Sequence, residues 1–171
     1  MAVLIRPGSP TANQIIRRRE MTVANAVPVR VDGWHVFRVT HEHLTDADTS
    51  QVLTLNTLFP ENPFPANVQL LRQAYFDLRE VFAAPAMTDL DFILGITGNT
   101  NGLVEVTAAE TGQSLGYKCP GGDLYVTATL FQAAMSPLLQ ADSAGANLSA
   151  CTTGVLDIYI PYTLMCSNRP A

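Results

Sequence analysis

Charge is scarce in this chain. Asp, Glu, Lys and Arg make up 15% of its 171 residues, against roughly 25% in an ordinary soluble domain. A chain poor in charge has much neutral surface, and long-lived protein contacts bury surface of that kind. The competing reading is a weakly charged monomer, and the size of the exposed apolar patches decides between the two. Cysteine is also sparse. Cys119, Cys151 and Cys166 are odd in number and widely spaced, which fits no zinc or CxxC pattern and leaves reduced thiols as the expectation. No apolar run reaches the ~18 residues of a membrane helix. Arg6, Pro7 and Pro10 interrupt any apolar core that a leader peptide would need, so synthesis in a cytoplasm is expected. The sequence holds no phosphate-cradling Walker loop, dinucleotide fingerprint, HExxH pair or Gly-x-Ser-x-Gly elbow.

What is there is a substantial apolar fraction, 47%, enough for one well-formed core at this length. The charges present are segregated. Residues 1–40 hold six arginines against Glu20 and Asp32, a net +4, while residues 41–171 hold four basic and thirteen acidic residues, a net −9. A basic segment on an acidic body suggests an arm that docks on an acidic surface, including a copy of its own body. Nucleic acid is the weaker partner for that arm, because Arg17, Arg18 and Arg19 form a small patch without interleaved aromatics.

Pro7, Gly8, Ser9 and Pro10 prevent regular structure early. Val23, Val27, Val29 and Val31 then alternate with smaller or polar residues, which suits an extended segment that pairs only when docked. The expected organisation is therefore an arm over 1–32 and a β-sandwich over 33–171. Within the body, 34–40 and 51–58 are rich in strand formers. Pro60, Pro63 and Pro65 make a rigid loop. Residues 73–82 fit either a helix face or a strand, with Tyr75, Asp77 and Arg79 on one side of the strand alternative; the β context favours the strand. The clearest segment follows. Leu90, Phe92, Leu94 and Ile96 alternate with Asp89, Asp91, Ile93 and Gly95, as in a strand with one side in a core. Residues 98–102 are a Gly- and Asn-rich loop, and 103–107, 124–131 and 155–162 are further strands, the last with Asp157 and Tyr159 facing one way. Six to eight short strands with long gaps between them favour a two-sheet jelly-roll-like sandwich over simple hairpins.

The candidates for chemistry are few. His41 and His43 would point the same way on a strand and could share a metal, with Asp46 or Asp48 recruited, but the closed ligand set of a structural site is missing. Asp46 with Asp48, and Asp89 with Asp91, could pair for acid–base work, yet turn chemistry and a wet strand face explain them better. Cys119 has no neighbouring base in sequence. No catalytic, metal or cofactor site is assigned, and an enzyme is not expected.

Three segments resemble a group of tailed-bacteriophage virion proteins: Thr88-Asp89-Leu90-Asp91-Phe92-Ile93-Leu94-Gly95-Ile96-Thr97-Gly98-Asn99, Gly145-Ala146-Asn147-Leu148-Ser149-Ala150 and Gly154-Val155-Leu156-Asp157-Ile158-Tyr159-Ile160-Pro161-Tyr162. The likeness lies in strand-and-turn cadence over about residues 34–163. It implies an all-β jelly-roll protein that sits on the phage head as a decoration or cement protein, as a homotrimer, with the major capsid protein as its partner and neither membrane nor direct nucleic-acid contact. Neck, tail or fibre proteins and a glycan-binding virion module, using Tyr75, Tyr117 or Tyr125, are the alternatives. On this reading Arg17, Arg18, Arg19, Val27, Val29 and Val31 carry partner contacts, the arm reaching to another protomer, by exchange within a trimer, or to the shell.

Overall fold

The computed structural model describes residues 29–66, 68–70, 73–118, 130–131 and 136–166. They form ten strands in two antiparallel sheets, the all-β jelly-roll-like sandwich that the sequence and the resemblance imply. The first sheet is organised on β10 (Thr153–Cys166). Along one side of β10 runs β1 (Val29–Thr40), from Val29 opposite Cys166 to Thr40 opposite Val155. Along the other side lie β4 (Tyr75–Ala83) and, further up, β3 (Val68–Leu70), flanked in turn by β7 (Gly116–Lys118) and β8 (Leu130–Phe131). The second sheet has the order β2 (Ser50–Thr54), β9 (Leu138–Ala144), β5 (Asp89–Ile96), β6 (Asn99–Ala108). Among the described residues β5 and β6 form the one tight hairpin, with Thr97 and Gly98 at the turn and Gly98 at φ 85°. The chain passes from one sheet to the other between β1 and β2, β4 and β5, β6 and β7, and β9 and β10.

The period-2 pattern builds the core. His35, Phe37 and Val39 of β1 are buried while Trp34, Val36 and Arg38 between them are exposed. Phe76 and Leu78 of β4, Leu90, Phe92 and Leu94 of β5, and Leu156, Ile158 and Ile160 of β10 are fully buried in one cluster. Phe82 and Phe92 join the two sheets edge to face, with centroids 5.0 Å apart. β4 approaches Gly154 of β10 so closely that a Cβ there would collide with the Phe82 ring, and Gly154 has φ 134°. The register of β10 against β4 slips on both sides of Val155, and such bulges re-aim the side chains beside them.

Three elements differ in extent from the expectation. β1 starts at Val29 and runs through the boundary expected at residues 32 and 33. Val29 and Val31 pair with Cys166 and Leu164 of the same chain, because β10 is fourteen residues long and offers a partner to all of β1 from Val29 onward. Residues 1–28, with Arg17, Arg18, Arg19 and Val27, lie outside the described residues. The strand expected over 51–58 stops at Thr54, and Leu55–Leu58 form one helical turn that buries Leu55. The Gly- and Asn-rich loop is reduced to the Thr97–Gly98 turn, since β6 already begins at Asn99. Of the strand expected over 124–131, only Leu130 and Phe131 are described.

Candidate interaction surface

The outward side of the first sheet gathers residues far apart in sequence. Arg38 is opposite Asp157, Asp157 is opposite Asp77, and Asp77 is opposite Tyr117, so one row crosses β1, β10, β4 and β7. Asp77 and Asp157 are each only 2% exposed. Two carboxylates side by side at that depth repel unless they are neutralised. Two arginines do this. Arg38 grips Asp157 with both arms of its guanidinium, Nε to Oδ1 at 2.7 Å and Nη2 to Oδ2 at 2.8 Å. Arg79 donates from Nε to Asp157 Oδ2 at 3.1 Å and sets Nη2 2.8 Å from Asp77 Oδ2 and 3.4 Å from the Tyr159 hydroxyl. The Arg79–Asp77 contact is an ion pair without hydrogen-bond alignment at Oδ2. The bidentate bond from Arg38, aided by Arg79, holds the Asp157 carboxyl below its usual range. The planar guanidinium fork is what makes such a two-point grip feasible.

The next rows on the same side are aromatic. Val36 is opposite Tyr159, which is opposite Tyr75, and Trp34 is opposite Pro161. Tyr75 and Tyr159 stack with centroids 4.7 Å apart and planes 10° from parallel. Trp34 meets both edge on, at 5.4 and 6.4 Å, and Tyr117 meets Tyr75 edge on at 5.3 Å. These are the favoured geometries for aromatic pairs, and they fix the rings before any partner arrives. The outer rings stay open, Trp34 at 42% and Tyr117 at 71% exposure. Trp, Tyr and Arg held rigidly on a sheet are the residue types that dominate protein–protein contacts.

A loop secures the edge of this surface. His35 Nε2 donates to the Asn62 carbonyl at 3.1 Å, and the Asn62 side chain donates to the Val36 carbonyl at 3.3 Å. The His35 ring sits against Phe37 and Phe64, and burial lowers its pKa. These bonds occupy backbone that an edge strand would otherwise leave open to pairing.

The sequence candidates for chemistry are scattered. His41 and His43 lie in a single 3-10 turn (His41–His43) and not on a strand. His43 Nδ1 accepts from the Thr40 amide at 2.9 Å and its ring rests on Phe59. Among the described residues no three His, Cys, Asp or Glu are placed to hold a metal. Asp46 accepts from the Asp48 amide at 3.1 Å, local turn chemistry. Cys151 is buried and its thiol pKa is raised by burial. Tyr75 and Tyr117, singled out in sequence as exposed aromatics, are brought together; Tyr125 lies outside the described residues. Sequence reasoning missed Trp34, Arg38 and Arg79 as site residues. The available signal was a Trp and an Arg on the wet side of a strand.

No protein-family model matches the chain, and no curated protein matches it. Two solved structures are similar in overall shape. One is described as the capsid asymmetric unit of cyanophage Pam1, with 14% identity, a TM-score of 0.49, and coverage of 91% of this chain and 99% of that one. The other is turnip yellow mosaic virus, with 11% identity, a TM-score of 0.47, and coverage of 90% and 89%. These values describe a general β-sandwich likeness, and neither structure assigns a role to this chain.

Proposed function

We propose that this chain is a virion structural protein, a capsid decoration or cement protein that binds a phage head and bridges neighbouring capsid subunits. The observation that carries the reading is the pre-ordered surface of Trp34, Tyr75, Tyr117 and Tyr159 beside Arg38 and Arg79. Its side chains are spent on contact, with the polar ones neutralised and the aromatic ones already in place. Ordering costs at binding are low for such a surface. A clamp that binds only the assembled shell stabilises it by mass action, and several points of attachment raise the gain through effective concentration. The arginine-bearing residues 1–28 supply a second attachment of opposite sign to the acidic body.

The test is co-sedimentation with capsid shells of the parent phage. The wild-type chain is expected to saturate the shells. Deleting residues 2–28 is expected to leave β1 and the fold intact and to lower occupancy at least tenfold. Full occupancy by the deleted chain would contradict the role given to the arm, and no binding by the wild type would contradict the decoration reading. A second reading draws on the contact between Tyr75 and Tyr117, since adjacent open rings also suit a sugar face. Specific signals on a glycan array, abolished by Tyr117→Ala, would favour it.

A further inference from the structure

The two sheets turn opposite sides of the sandwich to solvent, and both sides are divided alike. On the first sheet the outermost groups of the charged row are guanidinium, because Arg38 and Arg79 are 65% and 48% exposed above carboxylates at 2–3%. Beyond that row the surface is apolar and aromatic. On the second sheet the row Ser50, Asp142, Asp91 crosses β2, β9 and β5, with Asp89 further along β5. The following rows hold Val52, Gln140 and Ile93, then Thr54, Leu138 and Gly95. Val52 is 56% exposed. Asp91 and Asp142 face each other directly, and no Lys or Arg among the described residues bridges to them. Asp142 is held by Ser50 Oγ and Gln140 Nε2 at 2.5 and 2.6 Å. The Asp91 carboxyl is pushed above its usual range by burial and then by the charges of Asp89, Glu110 and Asp142. One side thus offers outward cations next to an aromatic platform; the other offers unneutralised carboxylates next to an aliphatic patch.

We propose that the arginine–aromatic side of one copy packs on the acidic–aliphatic side of the next copy of this chain. The inference rests on the reading of the chain as an assembly-forming virion protein and gives this surface to a second copy within a row, leaving the uncovered surface at the end of the row for the shell. The contact uses two different patches, so it is heterologous and propagates into a closed ring or a filament according to the rotation between copies. Patches on opposite sides stack copies along one axis, so this contact builds an open row and not the closed three-membered ring expected from the sequence. Arg38 and Arg79 come to lie over Asp91 and Asp142, and Trp34 and Tyr117 over Val52, Ile93 and Leu138. Because the charges start exposed and meet at the rim, the contact weakens with salt.

Two variants test it without any capsid. One is Trp34→Ala with Tyr117→Ala; the other is Val52→Lys with Asp91→Lys. All four positions lie outside the buried core, and circular dichroism melts confirm that each variant folds. By light scattering the wild type is expected to be a dimer or larger, with a mass that rises with concentration, and each variant alone a monomer of 18.5 kDa. Mixed in equal amounts, they are expected to form a one-to-one dimer of twice that mass, since each retains the side that the other has lost. A mixture that stays monomeric, or either folded variant that keeps the wild-type mass, overturns the proposal. A wild type that binds shells yet remains a monomer overturns this contact and leaves the decoration reading standing. Self-assembly that proceeds and crosses as described, in a chain that ignores shells, does the reverse.

Discussion

At the scale of single residues, Asp157 is the hinge of the surface. It accepts from Arg38 twice and from Arg79 once, whereas Asp77 meets Arg79 through one imperfectly aligned contact. Hydrogen bonds to charged groups contribute about 1.5–3 kcal/mol, less where the partner is solvated. Asp157→Asn is therefore expected to cost about 1–2 kcal/mol in urea unfolding, and Asp77→Asn clearly less; equal losses would contradict the geometry. Asp91 behaves oppositely. It faces Asp142 without a cation, and directly opposed like charges cost about 0.2–1 kcal/mol, so Asp91→Asn is expected to raise the stability of the isolated chain at neutral pH. The pH dependence follows from two lowered pKa values. Burial keeps His35 neutral in the fold while the unfolded chain takes up its proton, so stability falls as pH drops below the ordinary histidine pKa of about 6.5. Asp157 contributes above the ordinary carboxylate range and loses that contribution as pH falls through and below it. His35→Phe is expected to flatten the loss between pH 7 and 5 and to leave the loss below pH 4. An unchanged profile between 7 and 5 would contradict the neutral, buried His35.

At the scale of elements, much was legible and the reasons are specific. β5 alternates over its length and β10 over 155–162, so those stretches could be read directly, while the rest of β10 (Thr153–Cys166) could not; the Tyr75–Arg79 run resolved to a strand once its neighbours were strands. β3 and β7 have three residues each, too few for a period to register. β9 reads Leu-Leu-Gln-Ala-Asp-Ser-Ala, which contains no β-branched or aromatic residue, and only its pairing between β2 and β5 makes it a strand. The surface was legible in pieces only. Asp157 with Tyr159, and Tyr75 with Asp77 and Arg79, were placed on common strand faces from sequence. What joins them is register across pairs such as Arg38 and Asp157, 119 residues apart, and no local pattern encodes that. The bulge beside Val155 sharpens the point at Gly154, where left-handed backbone and contact with Phe82 exclude a side chain. Gly154→Ala is expected to lose about 2–4 kcal/mol, the range of strained or overpacked sites, measured as a lowered denaturant midpoint with unchanged slope. Wild-type stability in that variant would contradict the tight β4–β10 approach.

At the scale of the whole molecule, the chain is a sandwich with unlike sides. One is aromatic and ends in arginine; the other is aliphatic and ends in carboxylate. Among the described residues, Arg38 and Arg79 stand over Asp157 and Asp77 on one side, and Asp89, Asp91 and Asp142 gather on the other. The sequence holds one tryptophan, and Trp34 stands 42% exposed beside Arg38, Tyr75 and Tyr159, so its fluorescence reports on this surface alone. Acrylamide quenching of Trp34, followed as the chain is concentrated or added to shells, is expected to fall at least threefold with a blue-shifted emission as particle mass rises. Mass that rises while Trp34 remains as open to quencher as in the single copy would show that assembly uses some other side of the protein.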